Sequence, residues 1–256
     1  MPMNLYPFSL SFEPSPACSR FPLMMEGKAL PNIGCAISSR AAGDMKQSGA
    51  GTNRDRFLRS LGLEPDQARS CVQTHSRVVV EADDNRSEAD GMTGRGRGIA
   101  LAVTVADCLP VFLYDTETRA YALLHSGWKG TGIVLNALSM MAERWGTRPA
   151  SVAALLGPCI RPCCYHVDEG RAAAFEAEFG GPGGDCPLGP AVRRDGEGPA
   201  LDLQAANARL LAGAGVRNLA YCLDCTFTDQ RLGSFRREGA AYTRMLAVLG
   251  YFATDS

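Results

Sequence analysis

The sequence predicts a domain of the α+β class, in which strands and helices are mixed along one chain. Residues 99–105 form a nearly unbroken apolar run, the pattern of a strand buried on both faces. Apolar runs at 111–114 and 121–124, joined by a polar segment, predict an antiparallel hairpin. Between residues 133 and 145 the apolar side chains recur at helical spacing, so a helix follows the hairpin.

Other elements follow from the same rules of periodicity and punctuation. In chain order they are a strand within 32–42, a helix over 53–61, a strand at 78–80, a helix over 203–211 and a strand over 216–222. Asp202 is placed to cap the helix at 203–211. Glycine and proline dominate residues 180–199, which predicts an exposed loop, whereas residues 242–249 fit either a helix or a strand.

Length and charge narrow the class of function. A chain of 256 residues without an evident linker can build one large hydrophobic core. Its net charge of -1 gives no electrostatic reason to expect nucleic acid or an anionic membrane as partner, and no protein partner is evident. No segment is long and apolar enough to cross a bilayer, and ten cysteines are a small share of such a chain. We therefore expect a cytoplasmic protein with reduced thiols that acts on small molecules.

The predicted hairpin gives the first indication of a functional site. If its turn is tight, residues near 109 lie opposite residues near 125, which makes Cys108 and His125 neighbours. A thiol and an imidazole at strand ends serve as metal ligands, as a nucleophile with its base, or as a buried structural pair. His75 also lies at a strand end, directly before a β-branched run. Two imidazoles and one thiolate with a fourth position open to water are the ligand composition of a catalytic zinc site.

Small residues follow His125 and precede the predicted helix start at 131 or 132. The free N–H groups and the positive dipole end of that helix suit an anion, with Lys129 as a counter-charge. The phosphate-binding GxxxxGK[ST] motif of nucleotide-binding proteins is absent from the sequence.

Six short motifs occur in an order that is more specific than any one of them. They are QTHS at 73–76, ADCLP at 106–110, HSGWKG at 125–130, GPCIRPCCY at 157–165, LDL at 201–203 and SFRREG at 234–239. With these motifs the chain resembles the YfiH-like family, also called laccase-domain or multicopper polyphenol oxidase proteins. The resemblance extends over residues 32–250, nearly the whole chain.

The resemblance implies a layered α+β sandwich in which mixed β-sheets are flanked by helices. Residues 32–256 would form this single catalytic domain, and residues 1–31 would be an N-terminal extension. It also implies a metal held by His75, Cys108 and His125, the trio reached above from strand ends. Zinc is the expected ion, and copper is possible.

The chain departs from the family pattern at four positions. They are Ser76 in place of a glycine, Lys129 in place of an arginine, Arg161 in place of a glycine and His166 where an acid is common. Lysine cannot reproduce the bidentate geometry of a guanidinium, so Lys129 predicts a change in substrate preference.

The family resemblance implies activity on purine nucleosides: phosphorolysis of adenosine, inosine, guanosine or methylthioadenosine, and hydrolytic deamination of adenosine. Nucleoside and phosphate are then the expected small-molecule partners. Cys108, Asp107 and Lys129 are the catalytic candidates, with Asp107 handling protons or supporting a ligand. Phosphate needs positive charge and N–H donors, and the candidates for these are Lys129, Gly130, Arg236 and Arg237.

Three other functions stay open on the sequence. Cys108 as a nucleophile would make the protein a cysteine-type amidase that cleaves cytoplasmic muropeptides, in line with the family label of peptidoglycan editing factor. A copper-dependent polyphenol oxidase is the second, although three histidines cannot furnish both a trinuclear and a mononuclear copper site. A metal-stabilised module that binds nucleotides without turnover is the third. The HxE and PCxxC signature of ordinary zinc nucleoside deaminases is missing.

The remaining cysteine motifs have simpler interpretations. Cys222 and Cys225 have the spacing of redox or structural zinc sites, but no second pair matches them, which favours reduced packing residues. The adjacent Cys163 and Cys164 suit a buried structural role and a pocket role equally well. His166 is not expected to be a ligand.

Overall fold

The computed structural model describes residues 2–31, 33–46, 51–84, 88–180 and 188–252. The strands of these ranges are β1 (Asn4–Phe8), β2 (Cys18–Phe21), β3 (Met24–Met25), β4 (Lys28–Ala29), β5 (Gly34–Ser38), β6 (Ala68–Arg69), β7 (Val79–Glu81), β8 (Gly91–Arg95), β9 (Ala100–Val105), β10 (Leu109–Asp115), β11 (Ala120–Ser126), β12 (Val152–Leu156), β13 (Val192–Asp195), β14 (Gly198–Leu201), β15 (Asn218–Cys222) and β16 (Met245–Gly250). The α-helices are α1 (Asn53–Ser60), α2 (Ile133–Trp145), α3 (Glu169–Phe179), α4 (Leu203–Ala214) and α5 (Phe235–Glu238).

Two mixed sheets form the centre of the molecule. The larger has seven strands in the order β1-β15-β12-β10-β11-β8-β7, and the smaller has five in the order β2-β5-β16-β9-β6. In the larger sheet β15 pairs in parallel with β1 and β12, and β7 pairs in parallel with β8. The pairs that β10 makes with β11 and β12 are antiparallel. The chain crosses from the smaller sheet to the larger one between β9 and β10, at residues 106–108.

The two sheets pack face to face, and helices cover their outer faces. Along β10, Val111 and Leu113 point to the core beneath α2 and α4, while Phe112 and Tyr114 point to the core between the sheets. Along β9 the odd-numbered residues share that inter-sheet core, and the even-numbered Ala100 and Ala102 pack with α1. The order of layers is therefore helices, sheet, sheet, helix, which confirms the predicted layered α+β fold.

The elements that position the site agree with their sequence patterns. β10 pairs with β11 in the register that sets Leu109 opposite Ser126 and Pro110 opposite His125, as the hairpin predicted. α2 begins at Ile133 after Gly132, whose φ of 102° lies in the left-handed region that glycine tolerates. The Asp202 carboxylate accepts a hydrogen bond from the backbone N–H of Ala205 at 2.9 Å and caps α4.

The structure corrects one prediction from local patterns and decides one that was left open. Residues 180–199 were expected to form a loop, but β13 and β14 pair as an antiparallel hairpin there, while residues 181–187 lie outside the described ranges. The ambiguous segment at 242–249 contains strand β16, because its central place between β5 and β9 buries it on both faces. α3 and β8 had no counterpart in the sequence analysis.

The first 31 residues contribute to both sheets. β1 pairs in parallel with β15 at the edge of the seven-stranded sheet, and β2 pairs with β5 in the five-stranded sheet. The division of the chain at residue 32 stays a prediction. In the described part of the chain, none of the helices has both the length and the apolar character needed to span a bilayer.

Candidate metal centre

Three side chains from separate stretches of the chain meet beside the crossing between the sheets. His75 follows β6, Cys108 directly precedes β10 and His125 lies near the end of β11. One ligand atom from each of the three lies within 4.8 Å of the other two. The imidazole rings of His75 and His125 stand edge to face, with centroids 4.9 Å apart. The meeting of these residues, which sequence spacing alone could not establish, is present in the fold.

The three ligand candidates differ in exposure. His125 is buried and only 4% exposed, Cys108 is half-buried, and His75 is exposed. All three line one cavity of about 880 Å³. The trio is therefore closed toward the protein core and open toward the cavity, where a further ligand can approach.

The buried carboxylate of Asp90 fixes both histidines. Its oxygens accept hydrogen bonds from three consecutive backbone N–H groups, those of Thr74 at 3.1 Å, His75 at 3.0 Å and Ser76 at 2.7 Å. The Ser76 hydroxyl donates to the same carboxylate at 2.8 Å, and Nδ1 of His125 lies 2.8 Å from it. Because Nδ1 is engaged by Asp90, Nε2 of His125 is left to face Cys108. A carboxylate behind a histidine is the common support of a metal-binding imidazole.

Two residues of the site hold backbone conformations that side chains other than glycine rarely adopt. His75 has a φ of 60° and Asp107 a φ of 83°. The His75 backbone is held by Asp90, and the Asp107 carboxylate accepts hydrogen bonds from the Thr226 hydroxyl at 2.6 Å and the Arg236 N–H at 2.7 Å. These hydrogen bonds lock the residue before Cys108 and thereby aim the thiol toward the histidines.

The charges of the trio depend on one another. Burial raises the pKa of the Cys108 thiol, but the charge and hydrogen bond of His125, with a smaller contribution from His75, outweigh burial and lower the pKa to about 6. Burial lowers the pKa of His125, but the Cys108 thiolate and Asp90 have the larger, opposite effect. Together they raise the pKa of His125 to about 9. Burial also opposes ionisation of Asp90, but its hydrogen bonds from His125 and Ser76 hold the Asp90 pKa well below the ordinary value.

The donor set fits a borderline-soft cation. A thiolate and two imidazole nitrogens within 4.8 Å of one another match the ligands and the spacing of zinc or copper sites. Gly127 keeps the space around the trio clear, because a methyl group there would lie 3.0 Å from Sγ of Cys108 and 3.4 Å from a ring carbon of His75. His75, Cys108 and His125 are thus the residues that could hold a metal ion.

Aromatic side chains form the walls of the cavity, and they are Trp128, Tyr165, Phe235 and Tyr242. Guanidinium groups stack on three of them: Arg171 on Trp128 at 4.9 Å, Arg236 on Tyr165 at 5.4 Å, and Arg244 on Tyr242 at 4.3 Å from the ring centroid. Such walls combine flat apolar surface with positive charge, a pairing that suits a planar aromatic ligand and an anion bound beside it.

Arg54 is the cavity cation with the most unusual surroundings. It projects from α1 and is only 8% exposed, yet its one hydrogen bond in the described part of the chain goes to the Ser70 hydroxyl. Burial lowers its pKa, and the neighbouring Asp55 opposes that effect. By contrast, Arg244 is paired with the Asp44 carboxylate at 3.2 Å. A buried guanidinium with one hydrogen bond among the described residues is a candidate position for binding an anion.

Of the predicted phosphate-binding residues, Arg236 lines the cavity, whereas Arg237, Lys129 and Gly130 do not. Arg236 lines the cavity, and its guanidinium donates to the carbonyl of His166 at 3.1 Å. Arg237 points away, since its guanidinium donates to the carbonyls of Thr226 and Phe227, each at 2.7 Å. Lys129 is exposed beside Trp128, and neither Lys129 nor Gly130 is among the lining residues.

Sequence reasoning missed Asp90 and Arg54. Asp90 precedes the glycine at which β8 begins and lies 15 residues beyond His75, so no local spacing links it to either histidine. Arg54 lies within the predicted helix at 53–61, on the same face as the apolar Phe57 and Leu58. An arginine on the apolar face of a helix could have indicated a buried charge. The serine at the glycine position of the first motif also has a role, because its hydroxyl donates to Asp90.

The chain is similar in sequence to a known family and to several purine nucleoside phosphorylases. Residues 36–251 match the family described as multi-copper polyphenol oxidoreductase laccase. A purine nucleoside phosphorylase of Corynebacterium glutamicum is 34% identical over 206 residues, which are 77% of this chain and 79% of that protein. One from Deinococcus radiodurans is 35% identical over 201 residues, which are 77% of this chain and 76% of that protein.

Solved structures share the fold. The crystal structure of YlmD from Geobacillus stearothermophilus superposes with a TM-score of 0.79 at 25% identity, covering 94% of this chain and 98% of that one. The Bacillus licheniformis hypothetical protein YfiH superposes with a TM-score of 0.77 at 24% identity, covering 94% of this chain and 98% of that one.

The support that Asp90 gives to the histidines can be measured as metal affinity. We expect Asp90→Asn to weaken Zn²⁺ binding by about 10-fold to 100-fold, since loss of a carboxylate behind a ligating histidine typically has this effect. Competition with a fluorescent zinc chelator gives the affinity. Asp115→Asn is the matched control, because Asp115 is equally buried but bonds to Thr118 and Glu117 at the end of β10. Equal affinities in the Asp90 variant and the wild type would contradict this role.

The pKa of Cys108 predicts when its thiol reacts. In chelator-treated protein, we expect alkylation of Cys108 by iodoacetamide to rise with pH around a midpoint near 6, because the thiolate forms above the lowered pKa. His125→Ala should move the midpoint to higher pH, since the charge and hydrogen bond that stabilise the thiolate are lost. Mass spectrometry of the peptide reports the rate. Cys71, whose pKa burial raises to about 11, is the internal control and should stay unmodified through neutral pH.

Proposed function

The chain belongs to the multi-copper polyphenol oxidoreductase laccase family, and we propose that it is a purine nucleoside phosphorylase that uses a metal ion at His75, Cys108 and His125. Its reaction would transfer the ribosyl group of adenosine, inosine, guanosine or methylthioadenosine to phosphate. The observation that carries the proposal is a single cavity in which a His-Cys-His trio, aromatic walls and the buried Arg54 lie together. The names of the relatives from Corynebacterium and Deinococcus support the same class of reaction.

In phosphorolysis an oxygen of phosphate bonds to C1′ of the ribose while the bond from C1′ to the purine nitrogen breaks. The electron pair leaves with the base, which then takes up a proton. The enzyme must therefore bind a multiply charged anion next to a flat aromatic group, and it needs no protein nucleophile. Selective stabilisation of the charge that develops in this transition state provides the acceleration.

Phosphate binding is assigned to the cavity cations. Arg54 offers free guanidinium donors in a buried setting, where charge-assisted hydrogen bonds are strong. Arg171 and Arg236 add positive charge beside the aromatic rings of Trp128 and Tyr165. Arg237 is omitted from this assignment because backbone carbonyls occupy its donors. Lys129 could approach a bound anion only from outside the lined cavity.

The purine base is assigned to the aromatic walls. Stacking of a base on an aromatic side chain contributes roughly 1–3 kcal/mol and depends little on which base is bound. Trp128 and Tyr165 line the same cavity as Cys108, and both are partly buried. Such walls are consistent with a phosphorylase that accepts several purine nucleosides.

Zinc is the proposed ion, with copper as the alternative for the same donors. When bound, such an ion supplies a Lewis acid and lowers the pKa of a coordinated water to roughly 7. Asp90 would keep His125 oriented, and the hydrogen bonds of Asp107 would keep Cys108 in place. Hydrolytic deamination of adenosine is proposed as a second reaction of this site, without the signature of ordinary zinc deaminases.

One observation favours a second candidate function. Cys108, His125 and Asp90 form a line in which the carboxylate bonds to Nδ1 of the histidine at 2.8 Å and the imidazole faces the thiol. This is the order of groups in a cysteine hydrolase, and it would suit cleavage of a muropeptide amide bond. Ligation of a metal and attack on a carbonyl make opposing demands on one thiolate, so metal content separates the two functions.

The central test is phosphate-dependent nucleoside cleavage by zinc-loaded protein. We expect inosine and adenosine to give free base and ribose 1-phosphate only when phosphate is present, as followed by liquid chromatography. Cys108→Ser and His125→Ala should lower this rate by at least about 100-fold, the scale of losing a key electrostatic group.

The matched control for this assay is Cys222→Ser, which alters a buried thiol outside the trio. It should retain the activity, and circular dichroism should show that all variants are folded. Retained turnover in Cys108→Ser, or base release that ignores phosphate, would overturn the proposed phosphorylase.

Arg54 gives a sharper test of the phosphate site. We expect Arg54→Gln to raise the KM for phosphate by about 10-fold to 100-fold, since a hydrogen bond to a charged group contributes roughly 1.5–3 kcal/mol. The KM for inosine should change little. Arg59→Gln, on the same helix but exposed beside Glu64, is the control and should match the wild type. A rise confined to the KM for inosine would show that Arg54 does not bind phosphate.

A further inference from the structure

A second cluster of ligand atoms lies away from the His-Cys-His trio. The sulfur atoms of Cys163, Cys164 and Cys225 all lie within 4.8 Å of one another, and those of Cys163 and Cys164 are 3.5 Å apart. Three sulfurs bound at the usual 2.3 Å from one zinc ion are about 4 Å apart. The thiols are therefore already spaced so that one ion could contact all three after small rotations of their side chains.

The sulfur of the buried member of the cluster has a backbone hydrogen-bond donor. Sγ of Cys225 accepts a hydrogen bond from the backbone N–H of Arg161 at 3.3 Å. Backbone donors around a cysteine sulfur are a regular feature of thiolate metal sites, where they spread the negative charge.

The surroundings balance the charge of such a site. Three thiolates around a divalent ion carry a net charge of -1, and the Arg161 guanidinium lies beside them with its Nε unpaired in the described part of the chain. The other arginines of this region already have acidic partners, since Arg193 pairs with Asp202 and Arg231 with Asp229, at 2.9 Å and 2.8 Å. Arg161 is thus the available counter-charge for an anionic metal-thiolate group.

The cluster is also accessible. Cys163 is exposed and Cys164 is half-buried, and Cys163 and Cys225 line a cleft of about 530 Å³. That cleft and the cavity of the His-Cys-His trio have different lining residues. A hydrated ion can reach the sulfurs from this side without passing through the proposed catalytic site.

We propose that Cys163, Cys164 and Cys225 form a second metal site, which binds a thiophilic ion such as Zn²⁺ or Cu⁺ through three sulfurs. Thiolates select these ions over hard cations such as Mg²⁺ or Ca²⁺. The site ties the loop between β12 and α3 to the loop after β15, because its ligands come from both. This site does not depend on the proposed phosphorylase activity.

The sequence motif CxxC at 222–225 is not the basis of this site. Cys222 is fully buried, and its thiol donates to the Asp224 carboxylate at 3.4 Å, so it lies outside the cluster. Cys222→Ser is therefore a matched control, since it removes a neighbouring thiol of the same motif while leaving the three ligands in place.

The experiment is an anaerobic titration of untagged, fully reduced protein with Zn²⁺, and native mass spectrometry counts the bound ions. We expect about two zinc ions per chain in the wild type and in Cys222→Ser, and about one in Cys163→Ser, Cys225→Ser and Cys108→Ser. Cys163 is exposed, so its variant should fold even if Cys225→Ser does not. Co²⁺ provides a second measurement, because sulfur-to-cobalt charge-transfer absorption should persist in Cys108→Ser and disappear when Cys163 is also replaced.

A parallel titration with Cu⁺ against a chromogenic chelator identifies which thiophilic ion the cluster prefers, and binding of either ion that requires Cys163 supports the proposal. Binding of only one ion per chain, lost with Cys108→Ser and unaffected by Cys163→Ser, would overturn it. So would a second ion that also disappears in Cys222→Ser but remains in Cys163→Ser. These counts do not depend on nucleoside cleavage, so the outcome is separate from that of the proposed function.

Discussion

The carboxylate of Asp90 is the interaction on which the site depends. It is fully buried, and burial of an unpaired carboxylate is strongly unfavourable. Here three backbone N–H groups, the Ser76 hydroxyl and the His125 ring surround it and compensate that cost. The same hydrogen bonds hold His75 in a left-handed backbone conformation and orient the His125 ring. One acid therefore joins the loop after β6 to strand β11, two elements that belong to different sheets.

The two-sheet architecture explains why the ligands come from such separate parts of the chain. β6 lies at the edge of the smaller sheet, β11 lies inside the larger sheet, and Cys108 lies on the crossing that connects the sheets. The tight β10–β11 register places the crossing beside His125. Because both sheets are buried on both faces around this point, the backbone has little freedom to move the ligands apart.

The main cavity is rich in positive charge, although the protein as a whole is nearly neutral. The chain as a whole carries a net charge of -1, which gives no indication of an anionic ligand. The main cavity nevertheless gathers Lys46, Arg54, Arg171, Arg236 and Arg244. The Arg54 guanidinium is buried, and within the described residues its hydrogen bond goes to the Ser70 hydroxyl. The Arg237 guanidinium instead donates to the backbone carbonyls of Thr226 and Phe227. Positive charge is thus concentrated at a few positions within a molecule that is nearly neutral overall.

The sequence by itself determined the local elements and the identity of the three ligand candidates. Apolar alternation and helical spacing are set by residues within one element, so β9, β10, β11 and α2 could be predicted, as could the register that places Cys108 near His125. The tertiary structure alone decided the roles of Asp90, Arg54 and Cys225. The function of each of these side chains arises from groups that pack against it from distant segments, and hydrogen bonding and burial of that kind leave no periodic signal in the chain.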